Sequence, residues 1–280
     1  MWNKKFGKIC ASLRHDKFNP IEGRVWSQQD LADASGLPVR LIGQIERGER
    51  AYLEDDIFEC LAAAFNFTAL EKRRFLSLKT HSLDEEGAKK TGDYSKVITN
   101  MGVEIDAIQQ PALLHDGLHR IVAINDSCKK IYGLTQVYFD SAPESDPTKF
   151  HLNRLIYDPS SPLRQIYNDQ IEAIELQGVV YWKYLSLPYR HTQMFVDIQK
   201  KLLVSYPRFA QLWNSLAHEP IEENRVGLLR NLETKHPVFG DLKYAVISNQ
   251  MDSEIDELFL ILLIPTSAKT ASAFCALTQH

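Results

Sequence analysis

Ser27-Gln28-Gln29-Asp30-Leu31-Ala32-Asp33-Ala34-Ser35-Gly36-Leu37, running on through Val39-Arg40-Leu41-Ile42-Gly43-Gln44-Ile45-Glu46-Arg47-Gly48, decides how the N-terminal part of this chain folds. Ser27 is a good helix N-cap, because its hydroxyl can accept from a backbone N–H that the first helical turn leaves unpaired. The spacing predicts a short helix from Gln28 to Ala34, ended by Gly36. Pro38 suits the first turn of the next helix, where its fixed φ is already helical and its missing N–H costs nothing. That helix carries Leu41, Ile42 and Ile45 and closes at Arg47-Gly48.

Working outward, Phe6, Ile9, Cys10 and Leu13 are apolar at helical spacing over Phe6 to His15. Leu53 to Phe65 and Ala69 to Leu78 read as two further helices, and Asp16 to Trp26, with Asn19-Pro20 and Gly23, reads as a loop. Residues 1–80 are thus expected to form an all-α five-helix domain. At about 100° per residue, with Val39 set at zero, Leu41, Ile42 and Ile45 fall at roughly 200° to 300° and face the core. Val39, Arg40, Gly43 and Gln44 fall at roughly 0° to 140° and face outward.

The quoted motif, with Ala62, Ala64-Phe65-Asn66-Phe67-Thr68, Leu70-Glu71 and Arg74 downstream, resembles the Cro/repressor-type (XRE) helix-turn-helix family over residues 5–78. Ala32 is small where two short helices cross, and Gly36 provides the positive φ of the tight turn. The resemblance implies that the third helix enters the DNA major groove. Arg40 has the fork geometry for guanine, Gln44 can pair with adenine, Val39 can touch a thymine methyl, and Gly43 lets the helix approach closely. The resemblance also implies that Gln28 grips backbone phosphate from a helix N-terminus, and Arg47 is suited to the same task. The expected partner is an inverted-repeat duplex bound by a homodimer, with half-sites about one turn, roughly 34 Å, apart.

Charge divides in the same place. Residues 1–80 hold 13 basic against 11 acidic side chains and residues 81–280 hold 19 against 25, within a net charge of −4. This suits an N-terminal part that meets phosphate and a C-terminal part that does not. Cys10, Cys60, Cys128 and Cys275 include no C-x-x-C pair and read as free thiols in a reducing compartment. The longest apolar run, Leu258 to Ile264, is too short to span a bilayer, so the expectation is a cytoplasmic protein without a membrane partner.

Residues 81–96 read as a polar linker and 97–270 as a second, α+β domain. A helical stretch from Val97 to Gln109 precedes β-like runs Ala112 to His115 and Arg120 to Ile124, joined by an Asp116-Gly117 turn. Leu152 to Trp213 is largely helical, Tyr189 to Ser205 most clearly. Gly240 to Ile247 and Glu257 to Ile264 read as strands with Ser248 to Ser253 as their loop. Gln110-Pro111-Ala112-Leu113, Val122-Ala123-Ile124-Asn125, Asn153-Arg154-Leu155-Ile156-Tyr157-Asp158, Tyr206-Pro207-Arg208-Phe209 with Leu212-Trp213, and His236-Pro237-Val238-Phe239-Gly240-Asp241-Leu242 together resemble the MmyB-like, PAS-related ligand-binding domain over about residues 103–265. The acidic segment Tyr138 to Lys149 departs from that pattern.

The resemblance implies an antiparallel sheet with helices packed on one face and a cavity between them. Tyr181, Trp182, Met194, Phe195, Ile198, Leu202, Phe209 and Trp213 are the candidates to line it. Their character points to a small, mainly apolar ligand, with a fatty acid as the leading case and Arg190, His191 or Arg208 as carboxylate partners. Plain core packing is the competing reading for each of them. PAS-like domains also hold haem or flavin, but His115 and His119 are separated by the Asp116-Gly117 turn and no third ligand stands at a telling spacing; no metal and no resident cofactor are expected, with haem or flavin the minority reading. No nucleophile elbow, metalloprotease, Walker A or dinucleotide motif is present, and Asp252, Glu254, Asp256 and Glu257 read as a solvated edge, so no catalytic residue is assigned. The alternative is a phage-type repressor or antitoxin-like DNA-binding protein whose C-terminal domain only dimerises or holds a protein partner.

Overall fold

The computed structural model describes residues 2–50, 52–80, 94–216, 231–251 and 257–278. Five helices come first: α1 (Trp2–His15), α2 (Gln28–Ser35), α3 (Val39–Glu46), α4 (Asp55–Ala64) and α5 (Ala69–Thr80). Their ends follow from local chemistry. At α2 the Ser27 hydroxyl accepts from Asp30 N at 3.2 Å and the Asp30 carboxylate accepts from Ser27 N at 2.6 Å, a reciprocal capping box. Gly36 ends the helix at φ 69°, the left-handed conformation that a Cβ would penalise. Thr68 and Glu71 repeat the capping box at α5.

Phe6, Phe58 and Phe75 meet at the centre of these helices with ring centroids 5.0–5.7 Å apart, joined by Leu31, Ile42 and Leu61. Ala32 is buried among them as expected. The tightest crossing lies elsewhere, where α1 passes over the end of α3 at Gly7. A Cβ there would stand 2.4 Å from the Ile45 carbonyl oxygen and 2.6 Å from that of Glu46. The segment expected as a plain loop contains a two-stranded hairpin, β1 (Phe18–Asn19) with β2 (Arg24–Val25), in the register Phe18 to Val25.

The remaining elements are α6 (Tyr94–Asp106), β3 (Ala112–Asp116), β4 (Ile121–Ile124), α7 (Asp126–Tyr132), α8 (Gln136–Asp140), α9 (Leu152–Tyr157), α10 (Pro162–Ile166), α11 (Ile171–Leu185), α12 (Gln193–Ser205), α13 (Pro207–Ser215), β5 (Asn231–His236), β6 (Gly240–Met251), β7 (Leu258–Pro265) and α14 (Ala268–Thr278). The strands form one antiparallel sheet in the order β4-β3-β7-β6-β5. An α+β arrangement was expected for this part, and the described residues have one.

Several details differ. Helix α6 begins at Tyr94, inside the expected linker, whose residues 81–93 lie outside the described residues. It packs Ile105 against Ala112, Leu114 and Leu258, so helices cover both faces of the sheet rather than one. Strand β6 continues to Met251 through the expected loop, pairing Ser248 with Ile261 and Met251 with Leu258. Helix α14 carries the packing beyond residue 270, setting Phe274 against Tyr244. No described helix is long and apolar enough to cross a membrane, and the four cysteines are free, with Cys10 and Cys128 buried.

Candidate functional site

Alternation along the strands, period two, separates two surfaces. Leu113 on β3 pairs with Ile261 on β7, and Val246 on β6 with Leu263, so these four share the face turned toward α7, α9, α10 and α11. Between that face and those helices lies a cavity of about 190 Å³, walled mainly by Leu, Ile and Tyr side chains. Tyr181 lines it, as the sequence suggested.

The other seven candidates do not. Trp182 is fully buried behind the wall, donating from Nε1 to Gln199 Oε1 at 2.6 Å and stacking on Phe195. Phe195, Ile198, Leu202, Phe209 and Trp213 form a separate helical core among α11, α12 and α13, and Met194 is exposed on its surface. The apolar stripe of α12 was legible, but a stripe does not say which neighbour it meets. The suggested carboxylate partners are also elsewhere. Arg190 donates to Asp16 at 2.8 Å and lies over the Phe195 and Trp213 rings; Arg208 donates to Glu175 at 3.3 Å and to Gln211 at 2.8 Å; His191 does not line the cavity.

Sequence reasoning missed the polar end of the cavity, formed by His115, His119 and Asn153. The Asp116-Gly117 turn does not separate the two histidines in space, since it brings their ring centroids to 5.2 Å. His151 follows at 6.0 Å from His119. His115 donates to the Asp116 carbonyl at 2.8 Å and stacks on Phe259. Burial pushes His115 down to about 4 and His151 to about 3, and burial with the neighbouring His115 and His151 holds His119 well below its ordinary value. All three rings are therefore neutral at pH 7. Among the described residues no group of three His, Cys, Asp or Glu side chains is arranged to hold a metal ion.

A pH dependence follows. Below the ordinary histidine value of 6.5 the unfolded chain takes up protons that the buried rings refuse, so it binds more protons than the folded chain. Stability is expected to fall as pH drops from about 6.5 toward 4. Thermal unfolding across that range checks it; a flat profile would show the rings to be accessible.

The second candidate surface is α3. Arg40 is exposed with no side-chain hydrogen bond among the described residues, Val39 beside it is exposed, and Gln44 is half-buried. Gly43 is buried rather than free. A Cβ there would meet Arg47 Nη1 at 3.0 Å and Gln28 Oε1 at 3.3 Å, so the glycine makes room for two side chains that lie across α3. Gln28 donates to Glu46 at 2.7 Å, and exposed Arg47 forms a two-pronged pair with Glu49 at 2.6 and 3.0 Å. Glu46 also accepts two bonds from buried Arg14, at 2.7 and 3.0 Å. Arg14 lies thirty-two residues away in sequence and carried no signal of this role.

Cavity and α3 are connected through α11. Gly178, Tyr181 and Leu185 on this helix line the cavity. Just past its end Leu187 is fully buried in the core of the N-terminal helices, and the Arg190 carbonyl accepts from Ser12 Oγ at 2.8 Å. Arg74 of α5 pairs with Glu257, while Asp252, Glu254 and Asp256 of the expected solvated edge lie outside the described residues. No family model matches this chain, and no curated protein matches it in sequence.

Proposed function

We propose that the chain is a sequence-specific DNA-binding transcriptional regulator, a cytoplasmic homodimer of the Cro/repressor type, whose PAS-like C-terminal part senses a small, mainly apolar ligand. The observation that carries the reading is the surface of α3. Val39 and Arg40 are exposed there, Gln44 is half-buried beside them, and Arg40 has no partner among the described residues. Two short helices joined by a tight Gly36 turn, with a polar outward face on the second, make a helix-turn-helix reader that lays its second helix in the major groove. Gln28 and Arg47 beside it are suited to phosphate.

Ligand control is supported by the cavity. A concave pocket walled mainly by apolar side chains fits a ligand with an aliphatic, fatty-acid-like body better than it fits a surface that only dimerises. Helix α11, which lines the cavity and ends in the N-terminal core, is the element through which occupancy would bias the orientation of α3. Such a ligand must bind the DNA-competent and incompetent dimers unequally.

The test is selection of a binding site from random duplexes by the full chain, followed by titration of variants. Arg40→Ala is expected to cost about 1–3 kcal/mol at the selected site and to relax preference at one base pair. Arg47→Ala is expected to weaken all sequences alike. Unchanged affinity and preference in Arg40→Ala would remove α3 as the reading surface.

A further inference from the structure

The cavity is apolar along its walls, but its polar groups are distributed unevenly. Half-buried Gln177 and exposed Ser248 are among its lining residues. The Tyr132 and Tyr167 hydroxyls in its wall bond to each other at 3.0 Å. At the buried end neither Asn153 Oδ1 nor Asn153 Nδ2 has a hydrogen-bond partner, and neither does His119 Nδ1. Asn153 is fully buried and His119 is 4% exposed. Leaving such an atom unpaired costs about 1–3 kcal/mol, so three at one end of an apolar cavity point to a ligand group that completes them.

The backbone fixes these groups in place. Asn153 N donates to His151 Nδ1 at 3.1 Å, and the His119 carbonyl accepts from Leu152 N at 3.0 Å, with His119 held at φ 55° in the turn between β3 and β4. On the facing helix Gly178 keeps the amide open. A Cβ at that position would lie 3.2 Å from Asn153 Oδ1 and 3.0 Å from Ile156 Cδ1. Asn153 offers both a donor and an acceptor, which an amide or a hydroxyl can answer together.

Among the described residues no Arg or Lys lines the cavity. The nearby guanidiniums are engaged elsewhere: Arg154 with the Lys149 and Tyr138 carbonyls, Arg164 with Glu175, and Arg120 with Asp116. A carboxylate at this end would be a buried charge without a counter-ion among the described residues, which costs far more than a neutral polar group. The low proton affinity of the three rings agrees, because none supplies a positive charge at pH 7.

We infer that the ligand is an uncharged amphiphile, with an aliphatic or alicyclic body along the walls and one amide or hydroxyl head held by Asn153 and His119 at the buried end, and that the site discriminates against carboxylates. The inference rests on the reading of this cavity as a ligand site and replaces the carboxylate head with a neutral one.

Octanamide, 1-octanol and octanoate, which share one chain, separate the cases when titrated by calorimetry into the full-length protein at pH 7.5. The amide and the alcohol are expected to bind at least tenfold more tightly than octanoate. In Asn153→Leu, which keeps the branched shape but removes both polar atoms, the gap between amide and octanoate should shrink to about twofold. Octanoate binding as tightly as octanamide overturns the head-group assignment and leaves the ligand site standing. An undiminished gap in folded Asn153→Leu overturns the role of Asn153. No binding by any of the three overturns the ligand site itself. Should Asn153→Leu fail to fold, the wild-type comparison alone decides between carboxylate and neutral head.

Discussion

Glu46→Ala is expected to destabilise the N-terminal helices by about 3–5 kcal/mol, the range for stranding one partner of a buried ion pair. The side chains of Arg14 and Glu46 are 9% and 7% exposed, and two of the guanidinium nitrogens donate to this carboxylate. Without Glu46 the charge keeps, among the described residues, only its bond to the Trp26 carbonyl, at 2.5 Å. Glu46→Gln keeps the volume and an acceptor and should lose less. Arg14→Met combined with Glu46→Leu should recover most of the loss, because an apolar pair of similar size has no desolvation cost to offset. Denaturant unfolding of the wild type and the three variants measures these losses. A loss below about 1 kcal/mol in Glu46→Ala would mean that water screens the pair. Since Gln28 also donates to Glu46, the proposed role of Gln28 on DNA phosphate predicts weaker DNA binding in the variants that remain folded.

Gly7→Ala is expected to be similarly damaging although it adds only a methyl group. In a solvent-facing helix the same change stabilises by about 0.8–1.0 kcal/mol, so the sign of the effect reports the crossing. The atoms in the way are backbone oxygens of Ile45 and Glu46, which cannot rotate aside as a side chain can. Helix α1 must move off α3, and Arg14, on the same helix, moves with it away from Glu46. A loss of about 3 kcal/mol, the upper part of the range for overpacking, is the expected result. Gly102→Ala in α6, where nothing lies within 4 Å of the added carbon, is the control and should be neutral or slightly stabilising. Equal melting temperatures for the two variants would remove the close crossing as a constraint.

What could be read from sequence was mostly what is encoded locally. Ser27, Asp30 and Gly36 set the ends of α2 within a few residues of themselves, and three apolar positions on α3 set which face turns inward. Gly43 was misread because a helical wheel gives an angle but not the side chains that reach across it from Arg47 and Gln28. Strand β5 escaped notice because its buried positions are Leu232, Thr234 and His236, an alternation of burial without an alternation of hydrophobicity. The cavity's polar end could not be assembled from the chain at all. His119, Asn153 and Gly178 come from a turn and two helices, and only the tertiary fold sets them side by side.

Leu187 is not among the residues lining the cavity, yet its burial among the N-terminal helices is expected to tie the two parts of the chain into one unit of unfolding. A fragment ending near residue 80 would expose to water the apolar socket this side chain fills, so the N-terminal helices should melt together with the sheet rather than ahead of it. By mass action, a molecule that binds only the folded chain adds RT ln(1 + [L]/Kd) to the stability of everything sharing that transition, about 2.7 kcal/mol at a hundredfold excess over Kd. The thermal endurance of α3 thereby becomes a measure of how full a cavity on the other side of α11 is.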